Sequence, residues 1–314
     1  MEPIRPAARR AAMITTMRSL LVAALVIVLA ACRAGGTIDS PSDASTPSSP
    51  PTDAPSETPG FGAIEHPTGP TDVVLRLEEG GGFIMPTFRA IQAPTFTLYG
   101  DGTVLFRNPS LDPLEPVGSV YPLRPFRTAR LTEEQMQEVL LMALGEGGLG
   151  IARANYPNDM IADASTAVFT VNAGGLSKTV SIYALGLEIE GVPDAPARAA
   201  FLRLAGRLAD FDAGGSFATS EYTPERYRGT LLEGQPGAPD SRPWPWTDIA
   251  PEDFVTNPDP NAFPLPARVM TIAEAEELGI EPYQGGFTGP TLIGPGDGRV
   301  YSFALRPLLP GEAS

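Results

Sequence analysis

Few residues of this chain have the types or the spacing that chemistry requires. His66 is the single histidine and Cys32 the single cysteine among 314 residues. A histidine-dependent serine or cysteine hydrolase would have one candidate base, in Glu65-His66-Pro67, and a zinc site of several His or Cys ligands cannot be assembled. Carboxylates remain. Asn158, Asp159 and Asp163 crowd one loop ahead of a strand and offer the oxygen ligands that calcium takes, but not at EF-hand spacing. Asp248, Glu252 and Asp253 lie together and supply the acid and base of glycoside hydrolysis, or simply the caps of short helices. Trp244-Pro245-Trp246 holds both tryptophans in a proline-braced loop. Rigid aromatics there suit sugar stacking or a protein contact, and the competing account is a lid over the core. Gly80-Gly81-Gly82 lacks the spacing of a dinucleotide fingerprint, and there is no P-loop. No cofactor and no metal is expected.

The N-terminal residues carry a clearer signal. Arg5, Arg9, Arg10 and Arg18 precede an apolar run, Leu20–Val28, and small residues follow. A charged start, a short hydrophobic segment and a small-residue cleavage site describe a secretory signal. The run is too short to span a bilayer, which takes roughly 20 apolar residues. Leu29-Ala30-Ala31-Cys32 resembles the lipobox of bacterial lipoproteins. That resemblance implies a diacylglyceryl group on the Cys32 sulfur, cleavage before it, and attachment to the extracytoplasmic face of the cell membrane. Two or more acyl chains give the stable anchoring that one chain does not. The competing account is an ordinary signal peptide with an incidental cysteine.

Loss of residues 1–31 removes four arginines and Glu2, taking the formal charge from −15 to −18. So acidic a surface repels phosphate polymers and argues against nucleic acid as a partner. The membrane, an envelope protein or an envelope carbohydrate are the partners left. Residues 35–60, rich in Ser, Thr, Pro, Asp and Gly and without an aromatic residue, read as a disordered spacer. The expected organisation is a signal peptide (1–31), an acylated cysteine with its linker (32–60), an α+β core (61–213) and a proline-rich C-terminal subdomain (214–314).

The elements that would position any site are legible locally. Val73, Leu75 and Leu77 alternate as one face of a strand. Thr95–Tyr99 and Thr103–Arg107 flank Gly100-Asp101-Gly102, and Ala167–Asn172 and Ser177–Tyr183 flank Ala173-Gly174-Gly175-Leu176; both read as hairpins. A third hairpin-like unit surrounds residues 294–298. Thr132 with Gln135 is a capping box, ahead of the stripe Met136, Val139, Leu140, Ala143 and Leu144; Gly145, Gly147 and Gly148 should stop that helix. Asp194 should cap a second helix whose inner face is Phe201, Leu204, Leu208 and Phe211. Thr271 and Glu274 open a short third one. Arg226 and Arg228 share one side of an expected strand over 225–232 and read as its solvated side. Strands joined by hairpins rather than helical crossovers predict an α+β fold, an antiparallel sheet with a few helices on one face. The segment from Phe96 to Tyr183 also resembles uncharacterised domains of secreted bacterial proteins, on strand order alone, and implies no activity. Together these readings predict a non-enzymatic, lipid-anchored binding or envelope-accessory protein; the alternative is a carboxylate hydrolase of envelope carbohydrate.

Overall fold

The computed structural model describes residues 62–108, 113–187, 190–212, 217–238, 240–256, 265–296 and 298–312. The expected signal, Cys32 and spacer lie outside the described residues. The chain is α+β, with strands β1 (Val73–Gly81), β2 (Phe96–Tyr99), β3 (Thr103–Phe106), β4 (Tyr121–Pro122), β5 (Arg127–Arg130), β6 (Asn155–Tyr156), β7 (Ser165–Ala173), β8 (Leu176–Tyr183) and β9 (Ser220–Glu221) in its first part. Then come β10 (Tyr227–Glu233), β11 (Arg242–Pro243), β12 (Val255–Thr256), β13 (Pro266–Met270), β14 (Phe287–Ile293) and β15 (Val300–Pro307). The helices are α1 (Pro86–Ala90), α2 (Glu133–Leu141), α3 (Ala195–Ala209) and α4 (Ile272–Glu276).

Two open sheets result. The first runs β6-β8-β7-β1-β2-β3-β5-β9, antiparallel except for β6 against β8. The second runs β11-β14-β15-β10-β13-β12, antiparallel except for β11 against β14. All three hairpins form as the sequence predicts. Two strands cross the expected boundary after residue 213: β4 pairs with β14 of the second sheet, and β9 with β5 of the first. Arg107 and Leu123 reinforce the first crossing by donating to the carbonyls of Gly285 and Gly286. A Cβ at Gly285 would run into the Leu123 carbonyl, which explains a glycine at that crossing.

Each sheet has its own apolar face. On the first, Leu75, Leu77, Phe96, Leu98, Val104, Phe106, Phe169 and Val180 meet Met136, Val139 and Leu140 of α2 and Phe201, Leu204 and Leu208 of α3. The Thr132 box forms as read, its hydroxyl accepting from the Gln135 amide and the Gln135 side chain accepting from the Thr132 amide. Gly145 does not stop the chain: a π-helical turn, Met142–Glu146, continues it before Gly148 turns left-handed at φ 76°. Asp194 occupies the N-cap position at φ 60° without a capping bond, because its carboxylate pairs with Arg153 instead.

The second sheet has too little helix to cover its apolar face, since α4 is one short turn capped by Thr271. Aromatic side chains from the 244–254 loop do that work. Trp244, Trp246 and Phe254 pack edge-on or tilted against one another and on Tyr301 and Phe303.

The opposite faces of the two sheets are linked by α1 and by the C-terminal crossover. Strand alternation sends Arg76, Thr97, Tyr99 and Leu105 to the back of the first sheet. It sends Arg228, Thr230, Ala304 and Arg306 to the back of the second. Helix α1 packs there through Ala90 and Ile91 on Ala304. Beyond β15 the chain crosses over, and Leu309 joins Tyr99, Leu105 and Phe126 in a small core of its own.

Candidate arginine-rich site between the sheets

The residues singled out in the sequence do not assemble into one site. His66 is tucked against the segment it begins, with Nδ1 at 2.7 Å from the Pro67 carbonyl and Nε2 at 3.2 Å from Glu133. It ties the entry of the domain to the start of α2. Asn158 is buried and accepts from the Met160 amide, a turn contact, whereas Asp159 and Asp163 face solvent. Among the described residues no group of three His, Cys, Asp or Glu side chains is arranged to hold a metal ion. Asp248, Glu252 and Asp253 are all exposed. Asp253 accepts from the Ala250 amide at 2.8 Å, a capping contact at the turn Pro251–Asp253.

Of the tryptophan pair, Trp246 is 5% exposed and its indole donates to the Glu274 carbonyl at 2.8 Å. Burial removes it from any contact surface. Trp244 is half-buried and donates to the Ile249 carbonyl at 2.6 Å, so its exposed part alone is open to a partner. The lid account, not the contact account, describes what Trp246 does.

A constellation that sequence patterning did not single out lies between the backs of the sheets. Arg76 stands opposite Thr97 in the β1–β2 register, and Arg228 opposite Arg306 in the β10–β15 register. Arg107 follows the last residue of β3 and stacks its guanidinium 4.0 Å above the Phe126 ring. Arg107 of the first sheet and the Arg306–Glu312 pair of the second thus border the same small core, with Arg228 beside Arg306 and Arg76 acting on Tyr99. Arg228 is half-buried rather than solvated, which corrects the expectation for that side of β10.

Acceptors for these groups come mainly from the C-terminal crossover. Arg306 donates to Glu312 at 2.8 Å and to the Pro307 carbonyl at 3.2 Å, and the same Glu312 carboxylate accepts from the Leu309 amide at 2.9 Å. Tyr99 donates to the Pro310 carbonyl at 3.1 Å, and Tyr222 to the Leu308 carbonyl at 3.3 Å. Arg107 has the Gly285 carbonyl at 2.9 Å. Three donors are buried without a partner: Nε of Arg76, Nε of Arg107 and the Thr97 hydroxyl.

The electrostatics report crowding of positive charge. Burial, reinforced by the Arg306 charge, lowers Arg107 to about 10, and the same two causes lower Arg228. Burial pushes the Tyr222 hydroxyl up to about 12, with Glu225 and Glu312 adding to it. Tyr99 is also raised, by burial against the opposing pull of Arg76. Both hydroxyls are therefore neutral donors at physiological pH. Burial alone would raise Glu312, but Arg306, the Leu309 amide and Arg228 together hold it below the usual carboxylate range. Such an arrangement concentrates positive charge; it carries neither the nucleophile–base pair nor the carboxylate pair of a hydrolase.

The signal missed in the sequence was weak. Arg76 is the polar partner in Val-Leu-Arg-Leu alternation, and that pattern marks a solvated face unless something covers it. No family model, curated protein or solved structure matches this chain.

Proposed function

We propose that this protein is a lipid-anchored binding or accessory protein on the extracytoplasmic face of a cell membrane. The observation that carries the reading is Leu29-Ala30-Ala31-Cys32, placed directly behind a charged start and a short apolar run. The charge of the segment that follows fits it, because an acidic domain on an acylated tether gains nothing from nucleic acid. The exposed carboxylates Asp248, Glu252 and Asp253 do not favour the hydrolase alternative. Among the described residues no helix is long and apolar enough to cross a membrane.

The test is Cys32→Ala in the full chain, expressed in a bacterium fed a labelled fatty acid. The expected outcome is label on the wild type, none on the variant, and accumulation of uncleaved variant precursor. A variant that is labelled and processed like the wild type overturns the reading.

A further inference from the structure

We propose that the arginine cluster between the two sheets, formed by Arg76, Arg107, Arg228 and Arg306 with Thr97 and Tyr99, is a binding site for a small free oxyanion. Phosphate, sulfate and a compact polycarboxylate share the chemistry it would recognise. The site does not depend on the anchoring reading, and its test does not involve Cys32.

Four observations converge. Arg107, over the Phe126 ring, and Arg306, bonded to the Glu312 carboxylate that also accepts from Leu309, come from different sheets to one small core, in a protein whose overall formal charge is −15. Arg228 and Arg306 stand directly opposite each other on neighbouring strands, a like-charge pairing that destabilises a sheet unless negative charge lies close by. Glu312 supplies that charge to both, paired directly with Arg306 and acting on Arg228 through space.

Next, the zone has more donors than the described structure uses. The Arg76 and Arg107 Nε atoms and the Thr97 hydroxyl are buried and unbonded. A buried donor without a partner costs free energy and requires an explanation, and a bound ion is one. Arg198 shows that this chain can satisfy a buried arginine when structure alone is at stake, since its nitrogens donate to four backbone carbonyls.

The third observation is geometric. A planar guanidinium with its fork of donors matches an oxyanion in two-point fashion. Fourth, Arg76, Arg107 and Arg228 are half-buried rather than sealed, which leaves a small ion a way in. The lowered Arg107 agrees with its burial beside the Arg306 charge. An anion there would join the Arg306–Glu312 clamp to the first sheet through Arg76 and Arg107.

The experiment is isothermal titration calorimetry on the detergent-solubilised full chain with sodium phosphate, sodium sulfate and sodium citrate, at low and at high sodium chloride. The expected result is saturable binding of at least one of the three, weakened by added salt. Arg107→Met keeps an apolar stem over Phe126 and should lose about tenfold or more in affinity, as removal of a charge-assisted bond does. Arg76→Gln should lose a similar factor, and it serves as the decisive variant if Arg107→Met does not fold by circular dichroism. No heat of binding from any of the three anions overturns the proposal. So does wild-type affinity in a folded Arg76→Gln or Arg107→Met protein.

Discussion

Arg198 projects from α3 on the helix side of the first sheet and is completely buried. Its Nε donates to the Pro193 carbonyl, one terminal nitrogen to Tyr183, and the other to Tyr156 and Pro157 at 2.9 and 2.7 Å. On the other side of that sheet, Arg107 has one carbonyl and one aromatic ring, while its Nε has no partner. The two arginines belong to different kinds of structure. The first gathers the carbonyls of chain segments entering and leaving strands, and each of its three nitrogens has an acceptor. The second stands in a group that brings together more donors than its neighbours accept. Burial of charge alone does not separate a structural residue from a binding residue; the accounting of its hydrogen bonds does.

The largest effect expected from breaking this contrast is at Arg198. Arg198→Met fills similar volume but strips the Pro193, Tyr183, Tyr156 and Pro157 carbonyls of that donor. The cost should be about 3–5 kcal/mol in chemical denaturation of the full chain. A loss within experimental error would mean that those carbonyls find other donors and that Arg198 is not a structural tie.

A smaller effect is expected at the clamp on the far side. Glu312→Gln leaves Arg306 without its charge partner and should cost about 2 kcal/mol at neutral pH. Glu312 is held below the ordinary carboxylate pKa of about 4.3 in the folded protein. Its contribution is therefore present above that value and is lost as pH falls through the lower, folded one. Denaturation curves of wild type and Glu312→Gln should differ at pH 7 and converge once the pH has fallen through the lowered, folded value. A difference that persists there would show that the contribution does not come from the ionised carboxylate.

The smallest effect is on the helix that borders the Arg198 half of the core. Thr132→Ala removes the cap of α2 and should cost about 1 kcal/mol, with Thr132→Ser nearly neutral. An equal loss in both variants would assign the effect to the side chain's methyl packing rather than to the cap.

What was legible in the sequence was local. The boxes at Thr132 and Thr271, the Asp-Gly hairpin at residue 101 and the Gly174-Gly175 turn each depend on residues within a few positions, and each formed where read. The α+β class followed from them. The signals that misled were also local. Asp194 looked like a cap because nothing nearby revealed Arg153 as its partner, and Trp246 looked like a contact residue because proline-rich sequence resembles an exposed loop. Its burial follows from the second sheet's shortage of helix, a property of the whole fold.

The arginine cluster was illegible for the same reason. Arg76 and Arg107 belong to one sheet and Arg228 and Arg306 to the other, and the register that sets Arg228 opposite Arg306 joins residues far apart in the chain. Each arginine alone reads as the solvated side of a strand. Only the linking of two sheet backs, stitched by β4 and by the crossover to Leu309, turns those sides inward.

The contrast between the two kinds of arginine is tested most directly by one set of melts. Thermal unfolding of wild type, Arg198→Met and Arg107→Met would be followed with and without phosphate at a concentration well above the dissociation constant measured by calorimetry, with sulfate or citrate in its place if either binds more tightly. A ligand that binds only the folded state raises its melting temperature. Wild type and Arg198→Met should both shift upward by a similar amount, from a lower starting point in the variant, and Arg107→Met should shift measurably less. Equal shifts in all three proteins, or no shift in any, would contradict the account.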